Sequence, residues 1–168
     1  MRETYDLQAY LTATDFKVRI AAKVSESNEE MAVDNVRITG ASATPPAPLP
    51  AQNLTNVEII YGDTFSSGLF KWDETGEGDW RHGKFDEFKT IPGYTDGNIV
   101  AEVDDCDTSC TLTMRTPIDL TWYASATLEF DRFVDNAADP GEYLSIEAGR
   151  GNAWMTAFNF SAPGVVGA

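Results

Sequence analysis

The stretch that most constrains this chain is Met31-Ala32-Val33-Asp34-Asn35-Val36-Arg37-Ile38. Side chains of an extended strand alternate between two faces, so Met31 and Val33 share one face. Val36 and Ile38 continue that apolar face only if one residue is skipped. The skip falls at Asp34-Asn35, which predicts a β-bulge that re-aims a carboxylate. A strand with one greasy face needs a sheet to lie on, and the rest of the chain must supply it.

The same alternation recurs along the chain. Phe16, Val18, Ile20, Ala22 and Val24 alternate with Lys17, Arg19, Ala21 and Lys23. That pattern predicts a half-buried antiparallel strand with a basic outer face. Ser25 to Glu30 reads as a polar turn, so residues 1–40 read as a hairpin. Residues 41–56 hold Pro45, Pro46, Pro48 and Pro50, which favour a stiff, extended linker. Residues 57–168 form the larger block. It opens with Val57, Ile59 and Tyr61 and passes through a Gly- and Asp-rich, loop-like stretch at 73–98. Strand patterns follow around Ile99–Val103, Leu112–Met114, Leu128–Val134, Leu144–Ala148 and Trp154–Phe160. Trp154 is in phase with Phe158 and Phe160 and reads as core, as does Trp72. No long helical period is present. Short strands separated by turn signals predict an all-β antiparallel sandwich.

One phrase occurs twice. Asp6, Leu7, Tyr10, Ala13 and Thr14 match Asp119, Leu120, Tyr123, Ala126 and Thr127 at one constant offset. Each phrase leads into a strand. The expected device is a polar turn in which a leucine and a tyrosine plug the sandwich edge.

Charge limits the partners. The formal net charge is −15, which argues against nucleic acid and anionic membranes, since phosphate binding needs a basic surface. No apolar run is long enough to span a bilayer as a helix. Met1-Arg2-Glu3 lacks signal-peptide architecture, which leaves a cytosolic chain or a mature or excised piece of an exported one. The two cysteines, Cys106 and Cys110, have three residues between them. That spacing suits a small disulfide loop, with free thiols as the alternative. A disulfide implies an oxidising, extracellular or cell-surface location. One histidine and no nucleophile motif give no support for an enzyme.

Four motifs carry a resemblance. They are Phe65-Ser66-Ser67-Gly68-Leu69-Phe70-Lys71-Trp72, Asp119-Leu120-Thr121-Trp122-Tyr123, Asp6-Leu7-Gln8-Ala9-Tyr10 and Val33-Asp34-Asn35-Val36. Together they resemble jelly-roll modules of the carbohydrate-binding-module-like and MAM-like kind. In such modules the opening turn comes first and the Asp-Asn strand last, so the order here looks permuted. The resemblance implies a jelly-roll sandwich in three parts: a closing hairpin donated by 1–40, a linker at 41–56, and the main sandwich at 57–168. The donated strands carry Phe16, Val18, Ile20, Val33, Val36 and Ile38. They either fold back on their own block or enter the next copy, giving a head-to-tail filament of a non-enzymatic structural protein. The resemblance also implies a structural calcium at Asp34, Asp63, Ser66, Asp96 and Asn98. The alternatives there are acidic turns without an ion, or a site at Asp104, Asp105 and Asp107. The rival reading is a carbohydrate-binding or adhesin accessory module, with Trp80 as the expected exposed contact for a polysaccharide.

Overall fold

A computed structural model describes residues 1–25, 30–43, 57–76, 80–84, 99–134 and 138–162. The elements in order are β1 (Arg2–Asp6), a single 3-10 turn (Gln8–Tyr10), β2 (Phe16–Val24) and β3 (Met31–Ser42). Then come β4 (Val57–Asp63), β5 (Trp72–Thr75), β6 (Trp80–Lys84) and β7 (Ile99–Val103). The last are β8 (Cys106–Met114), β9 (Tyr123–Val134), β10 (Tyr143–Arg150) and β11 (Ala153–Ser161).

These strands form two antiparallel sheets of a β-sandwich. One has the order β1-β9-β3-β7-β6, with β4 also paired to β3; the other has the order β11-β10-β2-β8-β5. Between the sheets lies one hydrophobic core, to which β2 gives Phe16, Val18 and Ile20 and β3 gives Val33, Val36 and Ile38. All six are at most 2% exposed. Each such side chain contributes roughly 1.5–3 kcal/mol by leaving water.

Strands β2 and β3 do not form the expected hairpin. They lie in opposite sheets and face each other across the core. Strand β2 is hydrogen-bonded to β10 on one edge and β8 on the other. Strand β3 has β9 along one edge and shares the other between β7 and β4. A hairpin would have left one of these edges for its partner strand. Periodicity tells which face of a strand is apolar, but not which strand lies beside it. The first block nevertheless completes a sheet begun after the prolines, since every partner of β2 and β3 lies beyond residue 56.

The predicted bulge is present. The β3–β9 register shifts between Asp34 and Arg37, and Asn35 adopts a left-handed φ of 51°. One extra residue there lets Val33 and Val36 both face inward. The repeated phrase also folds twice into one device. Asp6 Oδ1 accepts from the Gln8 amide at 2.9 Å, and Asp119 Oδ1 accepts from the Thr121 amide at 2.9 Å. Each aspartate thus builds an Asx turn, and Leu7 and Leu120 behind them are fully buried. The two devices cross-link. The Leu7 amide donates to Ala126 O, and the Leu120 amide donates to Ala13 O, both at 2.9 Å.

Stretch 73–98, which reads as a loop, contains β6 and all of β5 but its first residue, Trp72. Both are short, and pairing with β8 and β7 makes them strands. Residues 85–98 lie outside the described part.

Cys106 and Cys110 are bridged, with their Cα atoms 6.2 Å apart. The bridge does not close a turn between strands. Both cysteines belong to β8, opposite Val24 and Ala22 of β2, so residues 107–109 are looped out of the ladder. Gly76, at φ +109°, packs on this loop, and a Cβ there would stand 2.9 Å from Cys110 Cα. Replacing both cysteines with serine is expected to lower stability by about 2 kcal/mol through loop entropy alone. A urea midpoint that falls at constant slope would show it. An unchanged midpoint would mean that the neighbours hold the loop without the bridge.

Candidate functional site

Strands β3, β4 and β9 and the turn at 64–71 enclose a groove of about 420 Å³ on the outer side of their sheet. The turn begins where β4 ends. Asp63 Oδ1 accepts from the Phe65 amide at 3.0 Å, and Asp63 Oδ2 accepts from Trp72 Nε1 at 2.9 Å. Phe65 is fully buried at a positive φ of 53°. Gly68, at φ +100°, closes the turn through its amide to Phe65 O. Phe70 rests against Gly68, where an added Cβ would come 3.1 Å from the ring, and is 75% exposed. Ile59, 64% exposed, stands on the same groove. A shift in the β3–β4 register between Ile38 and Thr39 puts Ile59 outside while Tyr61 faces in.

The polar wall is made of ion pairs. Arg37 donates to Glu129 Oε2 through Nε at 2.9 Å and again through Nη2. Arg2 holds Asp131 with two bonds, of 2.9 and 2.8 Å. Asn35 Nδ2 donates to Asp34 Oδ2 and to Asp131 Oδ2, each at 2.9 Å. Burial alone would raise the Asp131 carboxyl, but the bonds from Arg2 and Asn35 outweigh it and hold it below the usual carboxylate range.

Of the expected calcium ligands, Asp34, Asp63 and Ser66 lie among the described residues. Asp34 is 2% exposed and also accepts from the Asn35 amide. Asp63 lies opposite Val36 in the ladder between β3 and β4, but its oxygens serve the turn, and Lys71 Nζ stands 3.8 Å away. That ammonium puts a positive charge where calcium would need an uncrowded carboxylate. Ser66 Oγ is 3.0 Å from Thr64 Oγ1. Asp96 and Asn98 lie outside the described residues. Among the described residues, no group of three or more His, Cys, Asp or Glu is placed to hold a metal. Of the alternative acidic set, Asp104 is paired with Arg81 at 2.8 Å.

The aromatic readings divide. Trp72 is core, at 2% exposed. Trp80, expected as the exposed contact, is 4% exposed. It lies opposite Val103 in the β6–β7 ladder, and that pairing turns it inward. Trp154, expected in the core, is half-buried on the outer face with the Arg19 guanidinium 4.5 Å from its ring centre. A register shift between Ile146 and Glu147 inserts one extra residue of β11. Phe158 therefore points in and Trp154 out, although they are two periods apart. Trp122 is exposed on the second Asp-Leu turn.

Phe70, Ile59 and the Arg37–Glu129 pair are groove residues that sequence reasoning passed over. One signal was readable: Leu69, Phe70 and Trp72 cannot all turn inward from one tight turn. The pairing of Arg37 with Glu129 depends on register and left no trace in the sequence. No helix among the described residues is long and apolar enough to cross a membrane. No family model, curated protein or solved structure matches this chain.

Proposed function

We propose that this is a non-enzymatic, extracellular structural module that joins copies of itself by exchanging its first forty-odd residues. The observation that carries the proposal is how those residues are attached. They supply a central strand to each sheet, yet their one peptide link to the rest runs through residues 43–56. The strands that this segment connects are neighbours: Ala41 lies opposite Val57. A two-residue turn is enough for such neighbours. Fourteen residues extended as polyproline would reach on the order of 40 Å. A segment that long lets the same ladders form within one chain or between two. Exchange keeps every ladder bond, so only linker geometry and concentration decide between the forms. An exchange that runs head to tail does not close and grows a filament.

In this proposal the chain is a carbohydrate-binding-module-like or MAM-like jelly roll in permuted order. The opening turn, the two Asp-Leu turns and the bulged β3 support that placement. The buried Cys106–Cys110 bridge supports an extracellular or surface location, because such bonds persist in oxidising compartments. Calcium enters only as an accessory near Asp34, since Lys71 stands beside Asp63.

The test uses Thr39 and Thr127, which are opposite each other on the outer side of β3 and β9. Directly opposed positions suit a cross-strand disulfide. The double variant Thr39→Cys/Thr127→Cys is oxidised over a range of protein concentrations. Exchange predicts a ladder of covalent dimers, trimers and larger species on a non-reducing gel, growing with concentration. Bridged monomers alone at every concentration would overturn the proposal.

A further inference from the structure

We propose that β11 is an interaction edge at which two copies of this chain pair, making one sheet continuous across both. The edge lies outside the exchanged segment: β11 and its one described partner, β10, both lie beyond residue 142. Among the described residues, the outer strands of the two sheets are β1, β4, β5, β6 and β11. An outer strand offers unpaired amides and carbonyls to other chains, and charges or prolines commonly guard it. Four of these five are guarded. β1 carries Arg2, Glu3 and Asp6, and β4 carries Glu58 and Asp63. β5 carries Asp73 and Glu74, and β6 carries Arg81 and Lys84. β11 is the longest of the five, at nine residues, and has neither a charge nor a proline. Its Met155 is 59% exposed.

A bulge commonly spoils an edge, but the one in β11 sits at its centre. Trp154, Thr156, Asn159 and Ser161 lie opposite β10, with Ala157 as the extra residue in the middle. The Ala162 amide donates to Glu142 O. Bonded and unbonded residues alternate along an antiparallel ladder, so Ser161 and Asn159 turn their backbone groups to the open side. Arg150 and Ala153 close the two-residue turn between the strands, which gives Trp154 and Thr156 the same direction. The four positions are symmetric about the bulge. When two copies lie antiparallel, Trp154 meets Ser161 of the second copy and Thr156 meets its Asn159, each pair occurring twice. Met155 then lies across from Phe160 of the second copy, which covers its exposed surface.

Charge selects a second copy as the partner. The chain carries −15, so two copies repel wherever their acids face one another. A basic partner would gain most at an acidic edge, whereas an edge stripped of charge suits a partner of like sign. Two-fold pairing is also closed, since each copy gives and receives the same bonds, and it stops at two chains.

The experiment takes the whole chain with exchange blocked. Bridged monomers of Thr39→Cys/Thr127→Cys are purified after oxidation at high dilution. That bridge lies in the sheet that does not contain β11. Sedimentation velocity over a range of concentrations should show these locked monomers passing to a species of two chains and no further. Thr156→Lys and Asn159→Pro in the locked chain should each raise the dissociation constant at least about tenfold. The proline removes an N–H that faces the open side, and where it prevents folding the lysine variant decides. Thr75→Lys makes the same change in β5, at the opposite edge of the same sheet, and should dimerise like the locked parent. A locked chain that stays monomeric up to about 1 mM would overturn the proposal. So would growth beyond two chains, or Thr156→Lys dimerising as well as Thr75→Lys. None of these outcomes bears on exchange, which the bridge has removed.

Discussion

Trp72→Ala is expected to cost about 3–5 kcal/mol, the range for a large aromatic side chain deleted from a packed core. Trp72 is 2% exposed, with Phe65 and Tyr61 rings 5.8 and 6.2 Å from its own. The substitution opens a cavity and also strips Asp63 Oδ2, in a 7% exposed residue, of its indole donor. Trp72→Phe separates the two effects. It keeps most of the ring volume and loses the bond, so about 1.5–3 kcal/mol should be lost, as for a hydrogen bond to a charged group. Urea denaturation at fixed pH measures both. A loss below about 1 kcal/mol for the alanine variant would show that the turn at 64–71 is not anchored by this residue.

The second large effect is expected at Arg81. Its guanidinium holds Glu102 at 2.5 Å and Asp104 at 2.8 Å, with Glu30 at 3.6 Å. Burial works against its charge, but these three carboxylates outweigh that and raise its pKa further. Arg81 is half-exposed, whereas Glu102 is 5% exposed and Glu30 9%. Arg81→Met therefore removes the cation that the buried Glu102 carboxylate bonds and leaves it facing Asp104 and Glu30. The cost should be about 3 kcal/mol, the low end for a broken buried pair, because solvent still reaches the arginine side. Adding Glu102→Gln to Arg81→Met should recover a large part of it, and the double-mutant cycle gives the coupling. Additive single effects would mean that Arg81 and Glu102 are not coupled.

The faces of the strands were legible because a period of two survives any change of neighbour. Phe16, Val18 and Ile20 are inside for that reason. The Asp34-Asn35 skip was legible because a bulge breaks the period visibly. The Asx turns at Asp6 and Asp119 were legible because they are local, an aspartate bonding an amide two residues on. Neighbour relations were not legible. Which sheet β3 joins depends on partners up to a hundred residues away, and the hairpin reading of 1–40 assumed the nearest one. The two tryptophan reversals share that origin. One extra residue in β11 turned Trp154 outward, and the pairing of β6 turned Trp80 inward. The groove fared likewise: its turn was recognisable as a motif, but its floor is a register between strands.

The position of β2 in its sheet bears on how the molecule is made. Ile20 pairs with Leu112 and with Ile146, so its partners leave the ribosome roughly a hundred residues after it does. At about 5–20 residues per second, that delay is on the order of five to twenty seconds. Throughout it, Phe16 to Val24 has no cognate edge within its own nascent polypeptide. Contacts this distant in sequence also slow folding itself, because loop closure precedes any gain. If the first forty-odd residues exchange as proposed, this delay is when a neighbouring chain could supply the missing edge.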